Sequence, residues 1–327
     1  MPPALVRASG PLLEELLDQT YPLWGDGLSR RAYAQWNSAQ EQTDWGRAHL
    51  RRLALVDGNR VMATAKRYDL LLTLDGRQVP TVGVGAVFTP APLRGHGHAR
   101  AIIDALLDAA RGDGAELALL FSEIGPNYYI RLGFTVVPVE TANITVRVKP
   151  GAPAVLVRAG ESADAEQVAA MYARRGGAFR LSLTPSPDQV RYMLTKKRLY
   201  AGLDPSGRRT VEYFVAEEGH RAAAFVLLQI TRGGADRPDA WSVEACGDAD
   251  PDGARIGAIL QALVARAPAG TLPMIQGWWP ASLRPPQLGV TVRAPAGEVM
   301  MIKPLVYGAS VPSLVPGDVL FWHGDAF

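Results

Sequence analysis

The stretch LRGHGHARAIIDALL, residues Leu93–Leu107, decides the fold class. It places two glycines and two histidines within residues 94–98 and then continues as an apolar helical pattern. One face of that predicted helix carries Ala99, Ile102, Ile103, Leu106, Leu107 and Ala110. Gly112 and Gly114 follow, and glycine commonly ends a helix. Since the strand-like run TVGVGAVFT (81–89) comes before it, the sequence predicts a strand, a glycine loop and a helix in succession.

The loop between strand and helix has two equally open interpretations, an anion site and a plain turn. The first turn of a helix presents N–H groups without partners, and the aligned peptide dipoles add partial positive charge. Glycines also let a pyrophosphate approach the backbone closely. Short glycine loops are common, however, so the loop alone does not choose between the two.

Other known site types fit this loop less well. His96 and His98 have no Cys, Asp or Glu ligand set beside them, whereas a metal site needs three or four converging ligands. The run GVGAVF (83–88) lacks the remaining features of a dinucleotide-binding fingerprint, and the lysine of a phosphate-binding P-loop is missing. The sequence therefore predicts no metal site and argues against an NTPase.

Length and composition point to a two-domain protein without nucleic-acid or membrane partners. The chain has 327 residues and a formal charge of +2, from 34 basic and 32 acidic residues. Cys246 is the single cysteine, so no intramolecular disulfide can form, and it is expected to be a small buried residue. There is no signal-peptide pattern and no run of about 18 apolar residues. We expect a cytoplasmic protein of open oligomeric state.

The chain divides near residues 148–156 (VKPGAPAVL), which predicts domains 1–149 and 150–327. The first half should contain a helix capped by Ser9, a helical region over Ser29–Leu50, and then three strands. After the glycine loop and its helix come a buried strand (115–123), a short helix ending at Gly133, and an edge strand over 141–149. The class is α/β with a mixed sheet.

The second half repeats this outline with almost no shared letters. It predicts a strand over 154–159, helices over 164–175 and 188–198, and a hairpin over 211–230. A last helix has the apolar face Ile256, Ile259, Leu260, Leu263 and Val264. We interpret this half as a second copy of the same fold, with an unrelated α+β domain as the alternative.

Two ordered motifs resemble the signatures of the GNAT N-acetyltransferase superfamily. The segment VFTPAPLRGHGHARAIIDALL is similar to its coenzyme A-binding segment, with Arg94, Gly97 and Ala99 at the hallmark spacing. Downstream, YYIRLGF (128–134) resembles its second signature, a Tyr before a Gly-Phe pair. The wording of both motifs is closest to fungal lysine N-acetyltransferases and their bacterial relatives, over residues 11–136.

The resemblance implies a GNAT fold with a mixed central sheet, followed by a second, degenerate GNAT-like domain. It implies transfer of an acetyl group from acetyl-CoA to an amine. Main-chain groups of Val87, Phe88 and Thr89 would then hold the pantetheine arm and the thioester. The pyrophosphate would be cradled by the loop residues Arg94, Gly95, His96, Gly97, His98 and Ala99, with both histidines acting mainly through their backbone amides.

The resemblance also implies candidates for proton transfer. Tyr129 matches the general acid of the family, and the alternative is a core tyrosine packed beside Tyr128. Glu123 follows the buried strand and would bind the ammonium, relay a proton through water, or cap the helix near Asn127. Phe327 would either place a terminal carboxylate in the site as a base or only dock the tail, with Phe321 and Trp322 as anchors.

The matching loop of the second half carries acidic residues at Asp248, Asp250 and Asp252. Their charge would repel a pyrophosphate, so one active domain is expected, with the second half covering the substrate cleft. In the same half, Trp278 and Trp279 would either line a pocket or pack in the core. The leading hypothesis is acetylation of a small-molecule amine, such as free lysine. The alternatives are acylation of a protein or peptide amine and a non-catalytic acyl-CoA sensor.

Overall fold

The computed structural model describes residues 3–147, 155–234, 237–266, 272–293 and 297–327. Within these ranges the chain forms two mixed sheets with helices packed against them. The strands are β1 (Ala4–Arg7), β2 (Leu50–Asp57), β3 (Arg60–Leu74), β4 (Arg77–Phe88), β5 (Leu117–Ser122), β6 (Thr135–Val136), β7 (Thr141–Val146), β8 (Leu156–Ala159), β9 (Leu181–Leu183), β10 (Arg209–Glu218), β11 (Arg221–Thr231), β12 (Ala240–Asp248), β13 (Met274–Trp278), β14 (Leu288–Arg293), β15 (Val299–Pro304) and β16 (Val319–Leu320). The helices are α1 (Gly10–Trp24), α2 (Arg30–Gln42), α3 (Asp44–His49), α4 (His98–Gly112), α5 (Asn127–Ile130), α6 (Ala165–Gly176), α7 (Pro187–Gly202) and α8 (Ala254–Ala265).

The first sheet has the order β1-β2-β3-β4-β5-β15-β6, with β9 added to β3 and β16 added to β9. Strands β4 and β5 run parallel, and α4 connects them. The apolar face of α4 packs in one core cluster with residues of β2 to β5, because its apolar residues recur at helical spacing. This strand–helix–strand unit positions the glycine loop at the carboxyl ends of the strands.

The second sheet has the order β14-β7-β13-β12-β11-β10-β8. Here β12 and β13 run parallel and are connected by α8, so the unit β4–α4–β5 has a counterpart in β12–α8–β13. The predicted α/β class and the second copy of the fold are confirmed. So are the predicted helices α6, α7 and α8 and the hairpin β10–β11.

The two sheets exchange strands between the halves of the sequence: one strand of the first half joins the second sheet, and three strands of the second half, β9, β15 and β16, join the first sheet. Strand β7, from the first half of the sequence, lies between β13 and β14 in the second sheet. Strand β15, from the second half, lies between β5 and β6 in the first sheet. The prediction of an edge strand over 141–149 is therefore wrong. Alternation of polar and apolar residues along a strand indicates which face of the sheet is buried, but it does not indicate whether the strand has a neighbour on both edges. The division at residues 149 and 150 stays a prediction about folding units.

Helix boundaries in the first half differ from the prediction in two places. The helical region Ser29–Leu50 is split at Thr43, whose hydroxyl accepts the N–H of Gly46 at 3.0 Å and so caps α3. Ser9 stands at the N-cap position of α1, but its side chain makes no capping hydrogen bond. In the described part of the chain, no helix combines the length and the apolar character needed to cross a membrane.

Candidate active site

Strands β4 and β5 diverge at their carboxyl ends. Their parallel pairing runs from Thr81–Leu117 to Val84–Leu120. Beyond that point β4 stays paired with β3, and β5 stays paired with β15. The main-chain groups of β4 that face the gap therefore lack a partner on β5, and the gap opens where ligands of open α/β sheets bind.

A β-bulge turns the end of β4. Gly85 pairs with Lys66 of β3, and Phe88 pairs with Thr64. Two residues of β4, Ala86 and Val87, therefore oppose the single residue Ala65 between these pairs. Ala86 has φ of 48°, in the left-handed region that residues with a side chain rarely adopt. This strained residue sits at the divergence, where backbone strain is typical of functional sites.

The glycine loop follows the bulge and leads into α4. Gly95 and Gly97 have φ of 82° and 84°, so both positions favour glycine. A Cβ atom at either glycine would meet nothing within 4 Å, so the space over the loop is open. Gly97 is the N-cap of α4, and the first intrahelical bond joins the Ala101 N–H to its carbonyl at 2.9 Å. The N–H groups of the turn before Ala101 are therefore available to an anion.

The side chains of the loop point to neighbours within the loop itself. Arg94 is exposed, and its Nε donates to the Thr89 carbonyl at 3.2 Å. His96 Nδ1 lies 2.9 Å from the Arg94 carbonyl oxygen, and the rings of His96 and His98 are 6.2 Å apart. Ala99 is the second residue of α4 and is half-buried. No cluster of three or more His, Cys, Asp or Glu side chains suited to a metal occurs among the described residues.

Val87 and Phe88 are the last two residues of β4, and Thr89 follows them directly. Phe88 contacts Trp24 of α1, with ring centroids 6.2 Å apart. The Thr89 hydroxyl oxygen is buried and finds no hydrogen-bond partner among the described residues. A buried polar atom without a partner is costly, so this hydroxyl is suited to a ligand group.

Tyr129 lies in the four-residue helix α5, on the side of the sheet that α4 covers. It is buried and makes edge contacts with the rings of Tyr128 (5.1 Å) and Phe134 (5.9 Å). Burial raises the pKa of Tyr129 to about 12, and the charges of Tyr128 and Glu123 act in the same direction. Its hydroxyl therefore keeps its proton at neutral pH.

Glu123 is exposed directly after β5. The N-cap of α5 is Pro126, so Glu123 is not the capping residue of that helix. Ser122, which precedes Glu123, pairs with Val299 of β15. The residue before Val299 is Glu298, a second carboxylate that the sequence analysis missed. Burial raises the pKa of Glu298, and the nearby Glu123 raises it further, while His323 lowers it. No sequence signal marks Glu298, since it comes to the site directly before the exchanged strand β15.

Phe327 packs directly against β4. A Cβ atom at Gly83 would come within 2.5 Å of its ring, and one at Gly85 within 3.2 Å. The ring also contacts Tyr68 at 4.4 Å and Phe121 at 5.1 Å between centroids. The two glycines of β4 are thus required by the close approach of Phe327, a role that the sequence analysis did not assign to them.

The segment before Phe327, residues 321–326, spans both sheets. Gly324 lies against the main chain of β12, where a Cβ atom would come within 2.3 Å of the Glu244 carbonyl oxygen. The Asp325 carboxyl accepts the Trp322 N–H at 2.8 Å and the Tyr172 hydroxyl at 3.1 Å. Burial raises the pKa of Asp325 to about 7. The segment is therefore docked by buried polar contacts as well as by its aromatic side chains.

Helix α8 begins differently from α4. Its N-cap is Gly253, with φ of 68°. The Asp248 carboxylate accepts the backbone N–H of Arg255 at 2.9 Å and that of Asp250 at 2.9 Å, and it pairs with the Arg255 guanidinium. Both Asp248 and Cys246 are buried, which agrees with the prediction that Cys246 is a small core residue. The N-terminus of α8 therefore already holds an anionic group from its own chain.

The match to known families falls on the segment that contains the divergence and the glycine loop. Residues 14–137 match the family model of the acetyltransferase (GNAT) domain. The matched segment contains both sequence motifs. No curated protein matches the chain in sequence.

Solved structures resemble the chain over nearly its full length. A conserved protein of Enterococcus faecalis, described as a probable N-acyltransferase, has a TM-score of 0.67 at 11% identity, covering 93% of this chain and 73% of its own. A GCN5-related N-acetyltransferase from Kribbella flavida has a TM-score of 0.64 at 17% identity, with coverages of 93% and 72%. N-myristoyltransferase of Saccharomyces cerevisiae with bound myristoyl-CoA has a TM-score of 0.52 at 11% identity, with coverages of 92% and 82%. These likenesses show a GNAT-like fold.

Several candidates lie at one end of the β4–β5 gap. The glycine loop, the end of β4 and Phe327 all lie there. Tyr129 and Glu123 follow β5 on the other side of the gap, close enough for the charge of Glu123 to act on the tyrosine. Trp278 and Trp279 are both buried but lie in different core clusters, and the ring of Trp278 contacts that of Phe121 at 5.6 Å between centroids. The chemical roles of these residues are proposals, taken up next.

Proposed function

We propose that the GNAT domain transfers an acetyl group from acetyl-CoA to a primary amine of a small molecule. The observation that carries this proposal is the open N-terminus of α4 beside the β4–β5 divergence. The first turn of α4 contains no acidic side chain, and open space lies over both loop glycines. The fold shared with a transferase that binds myristoyl-CoA supports an acyl-CoA donor.

The residues present fit such a donor. The backbone N–H groups from Gly95 to Ala99 would bind its pyrophosphate, and the charge of Arg94 would add to the attraction. The main chain of Val87–Thr89, which has no partner on β5, and the orphaned Thr89 hydroxyl would bind the pantetheine arm. When bound, acetyl-CoA supplies the acetyl group as an activated thioester.

Tyr129 would hold the proton that the leaving thiolate needs. Because its pKa is raised to about 12, the hydroxyl is protonated throughout the neutral range. A thiol has an ordinary pKa of about 8.5, so the proton transfer runs uphill and requires direct contact between the two groups. The buried position of Tyr129 in the cluster that includes Leu93 and Val84 supports this placement.

A carboxylate would accept the proton of the amine. Where Phe327 ends the chain, its carboxyl group is the best placed, because its oxygen lies 3.4 Å from the Cβ position of Gly85. Glu123, exposed and beside Glu298, would attract the ammonium. Appending one glycine after Phe327 moves the carboxyl group but keeps the ring. We expect this variant to bind coenzyme A normally and to turn over more slowly, and an unchanged kcat would leave the base role to Glu123.

Free lysine is the first acceptor to test, since both motifs resemble those of fungal lysine N-acetyltransferases. The purified protein is incubated with acetyl-CoA and a panel of amino acids, diamines and peptides while free thiol is measured. Turnover with small amines is the expected result. Acetylation of peptides alone would identify a protein acetyltransferase. Saturable binding of acetyl-CoA with no turnover on any amine would identify an acyl-CoA sensor.

A further inference from the structure

The imidazole of His323 belongs to the docked segment 321–326, which spans both sheets. Its Nδ1 lies 3.2 Å from Oε1 of Glu244 on β12. Its ring meets the ring of Trp278 edge to face at 5.7 Å, and Trp278 in turn contacts Phe121 of β5. Because 45% of its side chain is exposed, His323 is held at one ring nitrogen and still reaches solvent.

Glu244 is suited to orient this imidazole. It follows Val243, the last residue of β12 that pairs with β13, and its carboxylate is buried and paired with Lys197 of α7. Burial opposes the ionisation of Glu244, but Lys197 and His323 together hold its pKa below the usual value. The carboxylate therefore stays ionised at neutral pH and selects the tautomer with its proton on Nδ1, so that Nε2 is the nitrogen that can accept a proton.

The charged groups around His323 favour its protonated form. The hydrogen bond from Glu244 raises the pKa of His323, while burial and the charge of Lys197 lower it, and the charge of Glu298 raises it again. These groups face the ring from β12, from α7 and from the chain before β15. Asp325, on the same segment as His323, is engaged in its own two hydrogen bonds. The imidazole therefore gains and loses its proton at a higher pH than an ordinary histidine does.

Glu298 lies between His323 and the end of β5. It precedes Val299, which pairs with Ser122, so it stands beside Glu123. The charges of His323 and Glu123 both act on Glu298. Its Oε2 is buried and finds no hydrogen-bond partner among the described residues. A buried oxygen without a partner is costly, so this atom is suited to take up a proton from the side of the β4–β5 gap.

Acyl transfer from a thioester to an ammonium ion releases one proton. The nitrogen loses two protons as its bond to the acyl carbon forms. One of them replaces the proton that Tyr129 gives to the thiolate when the C–S bond breaks. The other has to reach solvent, because a carboxylate that kept it could not accept a proton in the next turnover.

We propose, on the basis of the transferase function above, that this proton leaves the β4–β5 gap through Glu298 and His323. Glu298 takes it up at Oε2 and passes it to Nε2 of His323, and the imidazolium then loses it to solvent. His323 is the proton-relay residue in this scheme, and Glu244 is its positioning residue.

Steady-state kinetics from pH 5 to 9 test this path with an acceptor that turns over. The wild-type kcat should rise with pH as His323 loses its proton, because only the neutral imidazole can accept one. His323→Gln should lower kcat about 100-fold and remove this rise, with unchanged affinity for coenzyme A. His220→Gln, in the exposed turn between β10 and β11, is the matched control and should keep the wild-type profile.

Two further variants distinguish a relay from a structural contact. Glu244→Gln keeps an acceptor for the Nδ1 hydrogen but removes the charge, so the rise of kcat should move to lower pH. His323→Ala should regain activity when imidazole is added to the solution, whereas Tyr129→Phe should not.

An NMR titration measures the same groups without turnover, also if Glu244→Gln fails to fold. The His323 signal, identified by its loss in His323→Gln, should titrate above the usual histidine pKa. In Glu298→Gln this pKa should fall, because the charge of Glu298 raises it. A His323 pKa at or below the usual value, or one that Glu298→Gln leaves unchanged, overturns the path.

The kinetic outcomes separate this path from the transferase function. A wild-type pH profile in His323→Gln overturns the relay and leaves the transferase intact. A loss of kcat in His323→Ala that imidazole does not reverse overturns it too, since His323 would then serve only to dock its segment. Absence of turnover with every amine in the wild type overturns the transferase function itself, and the path with it.

Discussion

The N-terminus of α4 and the N-terminus of α8 occupy equivalent places in the two sheets. Each follows a strand whose parallel neighbour departs, and each begins at a glycine in the left-handed conformation, Gly97 and Gly253. At α4 the N–H groups face open space, whereas at α8 they bond to the buried Asp248 carboxylate. The comparison teaches that one carboxylate from the preceding strand decides whether such a helix terminus can accept an external anion.

The strand gaps beside the two helices differ in the same way: the gap beside α4 is open, and the gap beside α8 is filled. In the first sheet β4 and β5 separate after Val84, and the glycine loop lies at the opening. In the second sheet β12 and β13 separate after Val243, and Gly324 lies against the main chain of β12 at Glu244. The second gap is thus closed by the chain itself. One half leaves this position open, and the other half has filled the same position with its own atoms.

Breaking the closed terminus should have the largest effect. Asp248→Ala leaves two backbone N–H groups without their acceptor and removes one of the two carboxylates that pair with the Arg255 guanidinium, the other being Glu218. We expect a loss of about 3 kcal/mol in the free energy of unfolding. Urea denaturation measures this loss. Asp252→Ala, an exposed carboxylate in the same loop, is the control and should change stability by less than about 0.5 kcal/mol. Equal effects of the two variants would show that Asp248 does not hold the helix terminus.

The next test asks whether the chemistry depends on Tyr129 of the first half. Tyr129→Phe preserves the ring packing but removes the proton donor, so kcat should fall about 100-fold with unchanged affinity for coenzyme A. The deficit should be constant from pH 6 to 9, because the raised pKa keeps the hydroxyl protonated over that range. Tyr128→Phe serves as the control. Steady-state kinetics with a wild-type kcat for Tyr129→Phe would remove it as the acid.

Making the open terminus resemble the closed one should weaken donor binding. His98→Asp places a carboxylate in the first turn of α4, where it suits the helix dipole but repels a pyrophosphate. We expect the Kd for coenzyme A in calorimetry to rise about tenfold. His98→Asn, which has no charge, should bind almost as the wild type does. Similar affinities for both variants would argue that the phosphate groups bind elsewhere.

The smallest effect concerns the pH dependence of the docked segment. The pKa of Asp325 is raised from 3.8 to about 7, so the folded state retains a proton that the unfolded state has lost. The stabilisation is therefore complete below about pH 4 and is lost as pH rises through 7. Asp325→Asn cannot titrate and should unfold about 2 °C higher than the wild type at pH 8, with little gain at pH 5. Parallel curves of Tm against pH for both proteins would contradict this assignment.

Local patterns predicted the parts of the fold that local physics determines. The helix α4, the loop glycines and the hairpin β10–β11 follow from periodicity and backbone preference, and all three are found. The candidate residues Tyr129 and Glu123 could be placed near one another because the motif sets their distance along the chain. These features need no information from distant sequence.

The remaining features depend on contacts between distant segments. Strand β15 supplies Glu298 to the first sheet, and nothing in its letters specifies β5 as its neighbour. Gly83 and Gly85 could be interpreted as loop-forming glycines, although the ring of Phe327 is what excludes a side chain there. Each of these is a tertiary relationship that propensity and spacing do not encode.

The exchange of β7 and β15 has a consequence for synthesis on the ribosome. The edge of β5 that faces β15 stays unpaired until residues up to 304 have been made, long after strands β1 to β6 have been made. During that interval a hydrophobic strand presents free backbone groups, which favours pairing with other nascent chains. Chaperone demand and aggregation during expression should therefore respond most strongly to changes that delay the delivery of β15.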